Sequence, residues 1–165
     1  MMVRFGRSSL HFNDPTGDFE QESYNLEEAI TSLIRGAKEY VHLVSFSLPT
    51  YNQNWYLYPA IEYAVSNGAR LTVHANNHTE VKRLIGRHRN RGARGWAYTN
   101  PEGGIFHIKA IMVDGRKLYL GSANLSENAI SESSEWGIIS ESPDICRQLE
   151  SYLRHLENRE YFREV

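Results

Sequence analysis

From residue 25 onward, amphipathic helical stripes alternate with short β-branched runs, and this alternation limits the possible folds more than any other feature of the chain. Leu26, Ala29, Ile30, Leu33, Ile34 and Ala37 recur at helical spacing, and Asn25 followed three residues later by Glu28 has the pattern of a capping box. A helix over 25–38 is predicted. "YVHLVSFSL" (40–48) reads as a strand, a helix over 58–66 follows, Asn67-Gly68 marks a turn, and "ARLTVHA" (69–75) is a second strand. A helix over 79–91, a short strand near Trp96 and a hairpin turning at Asp114-Gly115 come next. The last helix is capped by Ser142, carries Pro143 at its first position and buries Ile145, Leu149, Tyr152, Leu153 and Leu156. Alternation of this kind lays helices on the faces of a sheet, so the expected fold is α/β: a single-domain α-β-α sandwich with a mixed β-sheet. Residues 1–24 are an N-terminal extension, for which an extra strand, a dimer arm and a disordered lead are all open.

One stretch disturbs this pattern. In "HIKAIMVDGRKLYLGSAN" (107–124), Ile108, Ala110, Ile111, Met112 and Val113 fill both faces of a predicted strand, yet His107 and Lys109 interrupt one face. A side-chain period of two places the imidazole and the ammonium side by side. A lone histidine on an apolar strand is usually a hydrogen-bonded core residue, so the lysine two positions later is what makes the pair informative.

Charge concentrates around the same stretch. The net charge is -2, but residues 67–122 hold ten Lys and Arg against three Asp and Glu, a local balance of +7, and both flanks are acidic. An anionic substrate is expected there. Lys82, Arg83, Arg87, Arg89, Arg91 and Arg94 form an acid-free run that is either a solvated face or a nucleic-acid-binding surface. Tyr51, Trp55, Tyr56 and Tyr58 could stack on bases or pack in the core. The single cysteine, Cys146, rules out an intrachain disulfide and cysteine-rich zinc clusters, and His74 and His78 lack further ligands at metal-site spacing. No cofactor or metal is expected. The start of the chain lacks the apolar core of a signal peptide, and no apolar run approaches the ~20 residues of a membrane span, so a soluble, cytoplasmic protein is expected.

His107, Lys109, Asp114, Gly121, Ser122 and Asn124 satisfy H-x-K-x4-D-x6-G-S-x-N. This pattern resembles the HKD signature of the phospholipase D superfamily. Six fixed residue types at fixed spacing arise by chance at a given start on the order of once in ten million. The resemblance covers about residues 25–160, since "AITSLIRGAKEYVHLVSFSL" and "AIEYAVSNGARLTVHA" are similar to the helix-strand units that precede the motif in this family. In size the chain is similar to its single-motif, Nuc-type bacterial endonucleases, which makes residues 25–165 the expected catalytic domain.

The resemblance implies a metal-independent double displacement in which His107 attacks phosphorus to give a phosphohistidine. Glu135, placed where the family carries an acidic partner for its histidine, would orient the ring. Lys109 and Asn124 would hold the non-bridging phosphate oxygens with help from the Ser122 hydroxyl. Asp114 matches the motif, but its place at the hairpin turn suggests a structural role. The family's second histidine, which protonates the leaving oxygen, has no counterpart here: His11, His42, His74, His78, His88 and His155 all lack a lysine two residues on. A homodimer through the active-site face is therefore implied, each subunit contributing His107. The expected function is a nuclease acting on DNA or RNA. The alternatives are a phospholipid phosphodiesterase and a nucleic-acid-binding module without turnover.

Overall fold

The computed structural model describes residues 6–18, 20, 25–49, 55–100, 103–126 and 133–165. Asn25 completes the expected capping box, its side-chain oxygen accepting from the Glu28 amide at 2.9 Å while the Glu28 carboxylate accepts from the Asn25 amide at 3.3 Å. Helix α1 (Leu26–Arg35) starts there and buries Leu26, Ala29, Ile30, Leu33 and Ile34. Burying each of its large side chains contributes roughly 1.5–3 kcal/mol, so tertiary packing stabilises this helix far more than propensity does. Strands β2 (Tyr40–Ser45), β3 (Arg70–Ala75) and β4 (Arg94–Tyr98) pair in parallel, linked by α2 (Tyr58–Ser66) and α3 (His78–Gly86). Antiparallel β5 (Ala110–Val113), β6 (Lys117–Gly121) and β7 (Glu135–Glu141) follow. Helix α4 (Pro143–Asn158) and β8 (Phe162–Glu164) close the chain, and β1 (Ser8–Asn13) pairs antiparallel with β7.

Among the described residues the sheet order is β1-β7-β6-β5-β2-β3-β4-β8. Its two faces bury different sets of side chains. Val41, Leu43, Leu71, Val73, Ile111 and Val113 pack under α1, α2 and α3. Val44, Ala110, Met112 and Leu118 pack with Cys146, Leu153 and Leu156 of α4. The α-β-α sandwich with a mixed sheet is therefore present, the described residues placing three helices on one side and one on the other.

Within residues 1–24, where an extra strand is one of the open readings, residues 8–13 supply an edge strand, whose pairing to β7 rests on backbone bonds that a pattern search on side chains misses. Two local expectations change. The helix expected over 79–91 stops at Gly86, and a short 3-10 turn (Arg89–Arg91) follows, with Gly92 at φ 79°. Glycine is a poor helix former, and the buried His88 turns inward to within 3.4 Å of Glu62. The α3 cap is Asn77, whose side-chain oxygen accepts from the Thr79 and Glu80 amides. Strand β5 starts at Ala110, so His107 and Lys109 lie in the extended approach to the strand and not inside it.

Candidate active site

The chain brings residues 106–109 to the carboxyl ends of the parallel strands because β5 runs antiparallel to β2, with Val44 opposite Ala110, while Ser45 of β2 sits beside Ala75 of β3. Asn76, the first residue beyond β3, locks this arrangement. Its side-chain amide donates to the carbonyls of Phe46 and Phe106, both at 2.7 Å, and its oxygen accepts from the Phe106 amide at 3.0 Å. Three bonds from one side chain thus hold the residue immediately before His107 against the end of β2.

His107 is exposed, and Lys109 folds back beside it. The Lys109 Nζ lies 3.3 Å from Nδ1, 3.2 Å from Nε2 and 3.3 Å from the His107 carbonyl. The ring leans on Phe46, with centroids 4.9 Å apart. Burial lowers the Lys109 ammonium below its ordinary range, and the Glu135 carboxylate opposes that shift. Predicted from a period of two, the side-by-side placement of imidazole and ammonium holds even though both residues precede the strand.

Ser122 and Asn124 reach the same end of the sheet from β6. Past Gly121 the ladder to β7 continues irregularly: the Ser122 amide donates to the Trp136 carbonyl at 3.0 Å, and the Ser122 Oγ accepts from the Trp136 amide at 3.1 Å. Gly121 is required here, because a Cβ would collide with the Trp136 carbonyl and the Tyr119 ring. The Ser122 hydroxyl donates to the Glu135 carboxylate. The carboxylate expected to orient His107 is thus hydrogen-bonded to Ser122, because the β6–β7 pairing sets the start of β7 directly against Ser122. Asn124 Oδ1 is buried without a hydrogen-bond partner among the described residues, so this oxygen is an acceptor left open to a donor. The buried Ser45 hydroxyl accepts from the Leu125 amide at 3.3 Å and so anchors the loop carrying Asn124.

The family described as cardiolipin synthase, PLD-like domain matches residues 30–157, a span that contains all of these side chains. The chain belongs to the phospholipase D superfamily. Among solved structures it is similar to Nuc, a phospholipase D family member from Salmonella typhimurium, at 20% identity and a TM-score of 0.69 over 96% of this chain and 97% of that one. NucT from Helicobacter pylori gives 21% identity and 0.68 over 92% and 96%. Phosphatidylserine synthase from Haemophilus influenzae gives 15% and 0.68, over 96% of this chain but 40% of the other. No curated protein sequence matches the chain significantly. These likenesses establish the fold.

Within this phospholipase D fold, Asp114 sits at the far end of the β5–β6 hairpin. At φ 52° its carboxylate accepts from the backbone amides of Lys38, Glu39 and Tyr40 at 2.8–3.2 Å, fixing the start of β2. Burial by itself would raise its pKa, but these three amides and Arg116 hold it below the ordinary carboxylate range. The structure thus separates Asp114 from the other motif residues.

The basic run is separated too. Lys82 and Arg83 lie on the exposed side of α3, and Arg87, Arg89, Arg91 and Arg94 lie at or before the start of β4, the opposite end of the parallel strands from His107. Arg89 donates to the Val165 carbonyl, Arg91 to Ser66 and Arg94 to Glu164. Positive charge close in sequence is therefore not close to the site, because α3 carries the chain away from it. Of the aromatic group, Tyr51 lies outside the described residues, Trp55 is buried, and Tyr56 and Tyr58 pack against the core. Sequence reasoning missed Ser45, Phe46 and Asn76. The only sign of Ser45 and Asn76 was a polar residue interrupting or ending an apolar strand.

Proposed function

We propose that this phospholipase D superfamily enzyme is a metal-independent phosphodiesterase that hydrolyses nucleic acid, DNA or RNA, through a phosphohistidine on His107. The observation that carries this reading is the exposed His107 ring with the Lys109 ammonium within 3.3 Å of it, facing solvent at the end of the sheet. A neutral ring nitrogen attacks phosphorus, and the adjacent cation and the Asn124 amide take up the charge that moves onto the non-bridging oxygens. Glu135 acts through the Ser122 hydroxyl, whose position it sets. The likeness to Nuc and NucT over most of both chains, against 40% coverage of the phosphatidylserine synthase, supports a nuclease over the lipid enzymes.

The leaving oxygen requires an acid, and among the described residues no hydrogen bond joins another histidine to His107 or Lys109. His42 and His74 bond to each other, and His88 lies beside Glu62. A second copy supplies the acid in this reading, each contributing its own His107. Refolding wild-type chains with His107→Ala chains at fixed total concentration tests it, in chelator, on labelled single-stranded DNA, duplex DNA, RNA and anionic phospholipid vesicles. Activity on nucleic acid should follow the square of the wild-type fraction, about a quarter of full activity in an equal mixture. A straight line assigns the proton to the same chain, with His78 the next candidate because it follows Asn76 by two residues. Cleavage of vesicles alone makes the enzyme a lipid phosphodiesterase, binding without cleavage makes it a nucleic-acid-binding module, and a requirement for added Mg2+ rejects the mechanism.

A further inference from the structure

A central strand covered on both faces is ordinarily apolar on both. Strands β2 and β3 break that rule on the α4 face, where Tyr40 and His42 neighbour Arg70 and Thr72, and His74 stands beside Trp96 of β4. With a single helix on this side, the sheet is left with a cavity of about 420 Å3, floored by His42 and His74 and edged by Arg70, Arg94 and Arg154. That volume falls in the range of small-molecule sites.

His42 is 7% exposed and His74 1%. They form a directed chain: Glu157 Oε1 lies 2.8 Å from His74 Nε2, and His74 Nδ1 lies 2.8 Å from His42 Nε2. With Glu157 ionised, His74 donates from Nε2, accepts at Nδ1, and so forces His42 to donate from Nε2. His42 Nδ1 is then a lone pair without a hydrogen-bond partner among the described residues, on a residue that lines the cavity. Burial, with His74 beside it, holds the His42 imidazole well below its ordinary pKa, which favours the neutral ring at this position. Above it, Arg94 is paired with Glu164 and Tyr40 with Glu150, whereas Arg70 and Arg154 have no ion-pair partner among the described residues. Of the basic run, only Arg94 lines this cavity.

We propose that this cavity is a second site, separate from His107, that binds a phosphate monoester. A monoester that carries a proton donates its P–OH to His42 Nδ1 while its charged oxygens accept from Arg70 and Arg154. A dianionic monoester binds with uptake of one proton into the chain: His74 then donates from both ring nitrogens, and His42 accepts at Nε2 and donates from Nδ1 to the anion. Either complex holds one proton more than its separated parts above the second phosphate pKa of about 6. A phosphodiester brings no proton and binds more weakly. The groups facing His42 are Tyr40 on its own strand, Arg70 and His74 on β3 and Arg94 on β4. Glu150, Arg154 and Glu157 face it from α4.

The test uses full-length, isotope-labelled His107→Ala protein. Imidazole nitrogen resonances of His42 and His74, assigned with His42→Gln, report on this cavity whether or not the protein cleaves anything. Inorganic phosphate and a nucleoside 5′-monophosphate should each shift both resonances saturably. Affinity should fall about tenfold per pH unit above about pH 7. Arg70→Ala and Arg154→Ala, both on exposed residues that tolerate truncation, should each weaken binding about tenfold and leave cleavage by the otherwise wild-type enzyme unchanged. A 5′-phosphorylated oligonucleotide that shifts the resonances where its dephosphorylated counterpart does not identifies a strand terminus as one source of the group. Resonances that stay fixed, that shift equally in both arginine variants, or that respond to diester as strongly as to monoester overturn the proposal.

Discussion

The two ends of the β5–β6 hairpin carry residues of one motif and treat them in opposite ways. At the turn, both oxygens of Asp114 are matched by backbone donors, and the carboxylate ties the start of β2 to the hairpin. At the open end the polar groups stay underused: His107 is exposed, Lys109 is less willing to be charged than an ordinary lysine, and Asn124 Oδ1 is buried without a partner among the described residues. Satisfied groups stabilise, whereas unsatisfied ones keep free energy in reserve for a ligand. Sequence motifs record both kinds of residue with equal emphasis, and the hydrogen-bond inventory separates them.

The most direct way to break this contrast is His107→Ala. Cleavage should fall by at least about a thousandfold with the melting temperature unchanged, because the ring is exposed and packs on little besides Phe46. A folded variant that still cleaves would move the chemistry elsewhere. Lys109→Arg sharpens it next. In the proposed mechanism Lys109 is protonated to hold phosphate oxygens, and its lowered pKa should bring the alkaline limb of kcat/KM below that of an ordinary lysine. Arginine should lower the rate at neutral pH about tenfold and push that limb beyond reach; a limb that stays in place belongs to another group.

Asp114→Asn probes the other end. The variant keeps a residue tolerated at positive φ but loses charge and one acceptor, so stability should drop by about 1–2 kcal/mol after allowance for solvent screening. Turnover per folded molecule should stay within about twofold of wild type. Since the folded-state pKa is depressed, the stabilisation is complete above the unfolded value near 4 and disappears as pH falls through the folded value. Denaturant melts should therefore converge for the two proteins in acid, and a gap that persists there would mean that charge is not the cause. The smallest effect is expected from Arg87, Arg89 and Arg91 replaced together by Ala: cleavage of a short substrate should not change. If these residues touch the phosphates of a longer strand, its log-log salt dependence should flatten by about 0.7–0.9 for each phosphate no longer neutralised.

Helix α1 with its cap, helix α2, the parallel strands β2 and β3 and the turn at Asp114-Gly115 were legible because local spacing and caps determine them. So were the motif residues, whose types and intervals record chemistry directly. Strands β1, β7 and β8 were not, since an edge or antiparallel partner is selected by backbone bonding across the sheet; the register of Ser8 to Ser140 joins residues 132 apart. Separation in sequence likewise hid Asn76 from Phe106 and Ser45 from Leu125, pairings that exist only once the strands align. By itself, the sequence determined an α/β sandwich of the phospholipase D superfamily with His107 and Lys109 side by side. Tertiary structure alone decided that Glu135 meets Ser122, that the arginine run lies at the opposite end of the strands, and that His42 and His74 meet Glu157 over a cavity. Short-range periodicity fixes which way a side chain faces, but which side chains share that space depends on pairing between segments far apart in the chain.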